Sequence, residues 1–258
     1  MEIANKLHQI FHGSSRAHGS FVIENSSLGQ KTQGKAKTIK TVGAGVKHWQ
    51  DHIEGRKGLG IIPIDEENSV RWGAIDIDVY SLNLEQLVEK IEEFKLPLVV
   101  CRSKSGGAHV FCFLKEKAPA ADMQDKLREI SAGLGYGGVE IFPKQREVLV
   151  ERGDIGSWLN MPYFEGDDSL RYGFDPKGKA LSLNKFIEFV EKRLISHEDL
   201  IKLEVPVLND IKDGPPCLQV LLKQGFPKGT RNNGLFNVGV YLKKSAPENW
   251  QTEIEDYN

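Results

Sequence analysis

The residues with the clearest chemical potential are two aspartates in the run Ile75-Asp76-Ile77-Asp78. In a β-strand, positions i and i+2 point to the same face, so Asp76 and Asp78 would converge on one point while Ile75 and Ile77 turn into a core. Two carboxylates that close repel each other, and a divalent cation is the usual remedy. Alone, such a pair also fits a surface strand that alternates acids with hydrophobics. A second element is Arg-Ser-Lys-Ser-Gly-Gly-Ala-His over 102–109. Gly106 and Gly107 would let backbone N–H groups approach a phosphate closely, Ser105 adds a hydroxyl, Arg102 and Lys104 supply charge, and His109 could donate to a phosphate oxygen. The same letters also suit a Gly-Gly hairpin turn with an ordinary histidine behind it. A third element is Glu140, a single acid in the apolar stretch Val139-Glu140-Ile141-Phe142. A buried acid is costly unless it is paired or bound to metal, and Lys144, four residues on, could equally neutralise it. Taken together and in this order, the three elements make a two-metal site for nucleotidyl transfer, Asp76, Asp78 and Glu140 being the metal-binding and catalytic carboxylates.

The surrounding pattern says what must position them. Residues 71–79 read as a strand, 84–94 as a helix with Leu84, Leu87, Val88 and Ile91 on one side, 98–102 and 108–114 as strands, 121–134 as a helix, and 139–142 as a strand. The order strand, helix, strand, strand, helix, strand is the split βαβ arrangement, an antiparallel sheet with two helices on one face. It predicts an α/β fold of the α+β kind, with the other sheet face free for a substrate. Further elements are expected as a helix over 45–54, a strand over 59–64, a short strand over 147–151, a helix over 184–194 and two helices after residue 216. The predicted organisation is a catalytic domain over 1–195, a Pro- and Gly-rich linker over 196–216 and a small helical accessory domain over 217–258.

With a formal net charge of -2 over 258 residues, the chain has no global basic field, and a nucleic acid would need a local patch. The segment 29–41, with four lysines and no acid, is read either as a solvated loop or as a loop tracking a strand's phosphates through Lys35, Lys37 and Lys40. No apolar run is long enough to span a bilayer, so no membrane partner is expected. The N-terminus does not read as a signal peptide. Three cysteines without paired spacing argue against disulfides and structural zinc. A cytoplasmic setting, bacterial or in an infected host cell, follows. His8 and His12 have helical spacing but lack a third zinc ligand.

These residues resemble the archaeo-eukaryotic primase superfamily, whose three motifs are a hydrophobic-Asp-x-Asp, a Ser-x-His-like loop and a final acid after a hydrophobic residue. Here they fall at 75–78, 105–109 and 139–140. The nearest resemblance is to the primase-polymerase branch of phages, plasmids and mobile conflict systems. It rests on Phe11-x-Gly13, the strand Gly-Leu-Gly-Ile-Ile-Pro-Ile before the acids, Ile-Phe-Pro-x-Gln after Glu140 and the segment Trp158 to Pro162, so that the likeness covers about residues 8–175. The resemblance implies Mg²⁺ or Mn²⁺ on Asp76, Asp78 and Glu140, the last standing where the superfamily more often has Asp. It implies an incoming nucleotide held by Ser105, Gly106, Gly107 and His109, with Arg102, Lys104 and Lys144 beside them. The run around Gly229, Arg231 and Asn232, with Phe236, Val240 and Tyr241 on one helix face, resembles the small helical domain that follows many such primases.

The function expected is that of a template-directed primase-polymerase in phage or plasmid DNA replication, with single-stranded DNA template, primer and (d)NTP as partners. One rival is a rolling-circle initiator nuclease, which needs a His-x-His pair and a nucleophilic tyrosine; the sequence has no His-x-His. Another is a non-catalytic single-strand binder, which leaves three convergent acids unexplained. The sequence leaves open a helicase partner, the choice of ribo- or deoxynucleotide, which Tyr80 just past the acids could police, and whether the natural chain is longer.

Overall fold

A computed structural model describes residues 1–23, 34–79, 82–205, 211, 214–224, 226 and 229–257. The chain divides into two compact units, Met1–Gln124 with Glu140–Leu203, and Asp125–Val139 with Glu204–Asn258.

The first unit opens with α1 (Glu2–Ile10), β1 (His18–Ile23), β2 (Gly34–Ile39), α2 (Val46–Ile53) and β3 (Gly58–Ile61). Then come β4 (Ser69–Ile77), α3 (Leu84–Glu93), β5 (Leu98–Arg102), β6 (Ala108–Pro119), α4 (Ala120–Gly133), which runs across the boundary into the second unit, and β7 (Glu140–Phe142). The unit closes with β8 (Leu159–Asn160), α5 (Leu183–Lys192) and α6 (His197–Lys202). Helix α3 forms as its spacing predicts: Leu87, Val88 and Ile91 are buried, and the Asn83 side chain caps its start by accepting the Gln86 N–H at 3.1 Å.

The block from β4 to β7 builds one antiparallel sheet in the order β5-β6-β4-β7. This is the split βαβ topology that the sequence predicts, and the fold is mixed α+β. A second antiparallel sheet runs β2-β1-β3-β8. Its strand β2 lies where a loop was expected. Residues 34–39 pair along the whole of β1, from His18 opposite Ile39 to Ile23 opposite Gly34, and this ladder satisfies the backbone that lysine-rich composition had suggested would stay solvated. The short strand expected over 147–151 does not form. The chain turns there instead, with the Arg152 N–H on the Leu149 carbonyl and the Gly153 N–H on the Val150 carbonyl.

The expectation of a free sheet face is also corrected. Trp72, Ala74, Val99, Phe111, Phe113 and Phe142 of the first sheet share one core with Leu59, Ile61 and Leu159 of the second and with residues of α1, α2 and α5. Phe11 sits at its centre, its ring 5.3–5.5 Å from those of Trp49, Trp72, Phe111 and Phe113. The N-terminal elements close over this face because its inward residues are large and apolar, and leaving them in water would forgo their burial. On this face the row Glu140–Asp76–His109, at the end of the sheet, is polar.

The second unit contains α7 (Pro216–Gln224), α8 (Arg231–Ser245) and α9 (Trp250–Glu253). Ile211, Leu218, Val238 and Leu242 form its small core. The buried stripe of α8 therefore runs through Val238 and Leu242, whereas Phe236, on the face noted from sequence, is 70% exposed. Among the described residues, no helix is long and apolar enough to cross a membrane.

Candidate active site

Strand β4 places Asp76 directly opposite His109 of β6 on one side and Glu140 of β7 on the other. Residues opposite each other in a ladder share a face, so Glu140, Asp76 and His109 form one cross-strand row. His109 Nε2 lies 3.5 Å from Asp76 Oδ1. Asp78, just past the end of β4, accepts a hydrogen bond from Ser105 Oγ at 2.9 Å. The loop between β5 and β6 is closed by the Ser103 N–H on the Gly107 carbonyl at 2.9 Å, and Ser103 Oγ lies 3.1 Å from Ser105 Oγ. Both glycines are required by this geometry. Gly106 has a φ of +93°, and a Cβ on Gly107 would sit 2.1 Å from the Ile77 carbonyl oxygen. The loop is thereby pressed against the end of the strand that carries the acids.

The electrostatics follow from that crowding. Burial, then the charges of Glu140 and Asp78, push the Asp76 carboxyl up to about 6, against a pull from Lys144. Lys144 Nζ is 2.7 Å from Glu140 Oε2, so the ion pair weighed from the sequence is formed. Both partners are well exposed, at 37% and 58%, which makes the pair weak and easily opened. His109 is pushed the other way, to about 4, by burial and then by the Arg171 charge, against a hydrogen bond to the Asn160 backbone and the field of Asp78. Its imidazole is neutral at pH 7.

Asp76, Asp78, Glu140, Ser105, Gly106, Gly107, His109 and Lys144 are thus gathered at one end of the first sheet. Arg102 instead braces the loop, its Nη1 donating to the Leu170 carbonyl at 3.2 Å. Lys104 Nζ sits 5.9 Å from the centroid of the Phe21 ring. Lys35 and Lys37 are exposed on β2, and Lys40 is exposed just beyond it. Residues 29–33 of the lysine-rich segment and Tyr80 lie outside the described residues. Two participants carry no sequence signal. Arg171 lies in a loop, and only the folded chain brings its charge to His109; the Asn160 carbonyl reaches His109 from β8 in the other sheet.

Among the described residues, no three His, Cys, Asp or Glu side chains lie together in a metal-holding arrangement. The donor chemistry nevertheless fits a hard divalent cation: Asp76 and Asp78 offer carboxylate oxygens, Glu140 adds a third once Lys144 swings away, and the Asp76 carboxyl is raised by burial first and then by the Glu140 and Asp78 charges, which such an ion would offset.

The acid row and the glycine loop both lie within a region shared with a known family. Residues 23–168, more than half of the chain, match the family described as the TOTE conflict system, Archaeo-Eukaryotic Primase domain. The chain belongs to this family. The matched span of the primase domain runs from the end of β1 through β8 and includes all three acids and the glycine loop. As a class, archaeo-eukaryotic primases are nucleotidyltransferases and typically use divalent metals. No curated protein matches the chain.

Proposed function

We propose that the protein is a template-directed primase-polymerase, joining (d)NTPs to a primer 3′-hydroxyl or to an initiating nucleotide. The observation that carries this reading is the single row Glu140–Asp76–His109, flanked by Asp78 and the Ser105–Gly107 loop. Asp76, Asp78 and Glu140 would hold Mg²⁺ or Mn²⁺. When bound, these ions make the attacking hydroxyl more acidic and stabilise the pyrophosphate leaving group.

The chain's own residues would do the rest. Ser105 turns its hydroxyl from Asp78 to the triphosphate, and Gly106 and Gly107 offer backbone N–H groups. His109, whose neutral ring spends its N–H on the Asn160 carbonyl, would take up a proton beside the triphosphate and donate its second N–H to a phosphate oxygen. Lys104 and Lys144 supply the positive charge, Lys144 becoming available as Glu140 turns to a cation. Arg102 holds the loop in place through Leu170. Lys35, Lys37 and Lys40 would follow the phosphates of a single-stranded template or primer, and residues 217–258 would form a helical accessory domain. The setting proposed is replication of phage, plasmid or related mobile DNA, with a helicase as a further candidate partner.

Incubating the protein with primed and unprimed single-stranded templates, labelled dNTPs or NTPs, and Mg²⁺ or Mn²⁺ tests the reading. Products lengthened in a template-dependent way are expected. Strand binding without any incorporation would favour the non-catalytic binder, and a covalent protein–DNA adduct would favour the initiator nuclease.

A further inference from the structure

Arg171 lies beyond the residues that match the primase family, in the stretch between β8 and α5. It is 7% exposed, and its Nη1 is fully buried with no hydrogen-bond partner. No ion pair among the described residues includes it, and Glu165 acts on it only through its field. Its guanidinium carbon stands 4.8 Å from the Phe21 ring centroid and 5.7 Å from that of Phe164. The backbone is fixed on both sides, the Arg171 N–H donating to Ser169 Oγ at 3.0 Å and its carbonyl accepting the Tyr163 N–H at 2.8 Å.

Burying a cation without a counter-charge is costly, and cation–π contacts recover only part of that cost. A buried guanidinium whose Nη1 has no partner therefore suits a ligand that brings negative charge with it. The neighbours say which side the ligand takes. Lys104 of the phosphate loop approaches the same Phe21 ring, and the Arg171 charge is felt by His109. Lys104 and Arg171 thus share one aromatic ring, and the Arg171 charge reaches His109 of the acid row.

We propose that Arg171 is a further polyphosphate contact of this site, its Nη1 donating to a phosphate oxygen that Lys104 and His109 hold from the other side. This rests on the reading that the pocket takes a nucleoside triphosphate. It also explains why a buried arginine sits here with an open donor: the free protein keeps the fork aimed, and the anion completes it.

The test is calorimetric binding of inorganic tripolyphosphate, of a non-hydrolysable deoxynucleoside triphosphate and of the matching nucleoside, each with Mn²⁺ and with chelator. It compares the wild type with R171Q and R171K. R171Q should bind both polyphosphates about 10- to 100-fold more weakly, the loss of one charge-assisted hydrogen bond, with nucleoside affinity unchanged. R171K should fall between, since it keeps the charge but not the planar fork. Wild-type affinity in R171Q, or equal losses for nucleoside and triphosphate, would overturn the proposal and leave Arg171 a clasp between Phe21 and Phe164. Should R171Q fail to fold, R171K decides, because full polyphosphate affinity there removes any role for Nη1. A wild type that binds tripolyphosphate but incorporates no nucleotide would defeat the polymerase reading and leave the Arg171 contact standing. A wild type that binds neither polyphosphate in either condition would defeat both.

Discussion

Asp76 carries the strongest electrostatic tension in the site, since burial, Glu140 and Asp78 all oppose its charge. A carboxyl whose folded value is raised from 3.8 to about 6 binds its proton more readily when folded. The penalty is therefore complete above pH 6 and fades as the pH falls toward 4. In chelator at pH 7.5, Asp76→Asn should be more stable than the wild type by up to about 3 kcal/mol, with the gap closing toward pH 4. The same variant should incorporate no nucleotide, and Mn²⁺ should raise the melting temperature of the wild type but not of the variant. Urea titrations at the two pH values, with and without metal, read all of this. A variant less stable than the wild type at pH 7.5 would mean that Asp76 stabilises the empty fold and is not a strained ligand.

At the scale of elements, β2 pairs residues 34–39 along β1 as an edge of the second sheet, with Lys35 and Lys37 in register with Val22 and Ser20. If this edge follows a nucleic-acid strand, replacing Lys35, Lys37 and Lys40 with Ala should flatten the salt dependence of single-stranded DNA binding by about two log units per log of salt, at about 0.7 per phosphate contact. Incorporation at saturating DNA should change little, and an unaltered slope would place the strand elsewhere. Helix α2 makes a different prediction through buried His52. Its Nδ1 accepts the Leu59 N–H at 3.0 Å, and its Nε2 donates to the Pro162 carbonyl at 2.9 Å. Both ring nitrogens are committed as a neutral imidazole that ties α2 to β3 and to the chain after β8. Burial first, and the Arg171 charge as a smaller cause, press its pKa from 6.5 to about 4, against the hydrogen bond to Pro162. A depressed histidine stabilises the fold above pH 6.5 and loses that contribution as the pH falls toward 4. The stability advantage of the wild type over His52→Gln should thus shrink by about 3 kcal/mol between pH 7 and pH 4, and a gap independent of pH would show that His52 is not held neutral.

For the whole molecule, the two units have separate cores, one centred on Phe11 and the other on Val238 and Leu242. Separate cores predict separable unfolding transitions. Val238→Ala should lower the transition of the helical unit by on the order of 2 kcal/mol and leave that of the larger unit unchanged in calorimetry. A single transition shifted as one by this substitution would show that the chain melts as one cooperative body.

The parts of this protein whose signals are local could be read from neighbouring residues. The two-residue spacing of Asp76 and Asp78, the period of α3, the Gly106-Gly107 turn and the order of strands and helices from 69 to 142 are properties of neighbouring residues, and they were enough to indicate the split βαβ sheet and the superfamily. Features that depend on residues far apart in the chain emerge from the folded packing. Composition alone gave no reason for residues 34–39 to be a strand, because their partner is β1. The closure of the sheet face needed Phe11, Trp49 and Phe186 to arrive from three other elements. Asp76 meets Glu140 only through the pairing of β4 with β7, and Glu140 meets Lys144 first. Arg171 has no motif, and its place beside His109 comes from a loop held by Tyr163 and Ser169. Spacing along a chain encodes which face a side chain takes, whereas the charge and water around that side chain are set by segments that the local pattern does not contain.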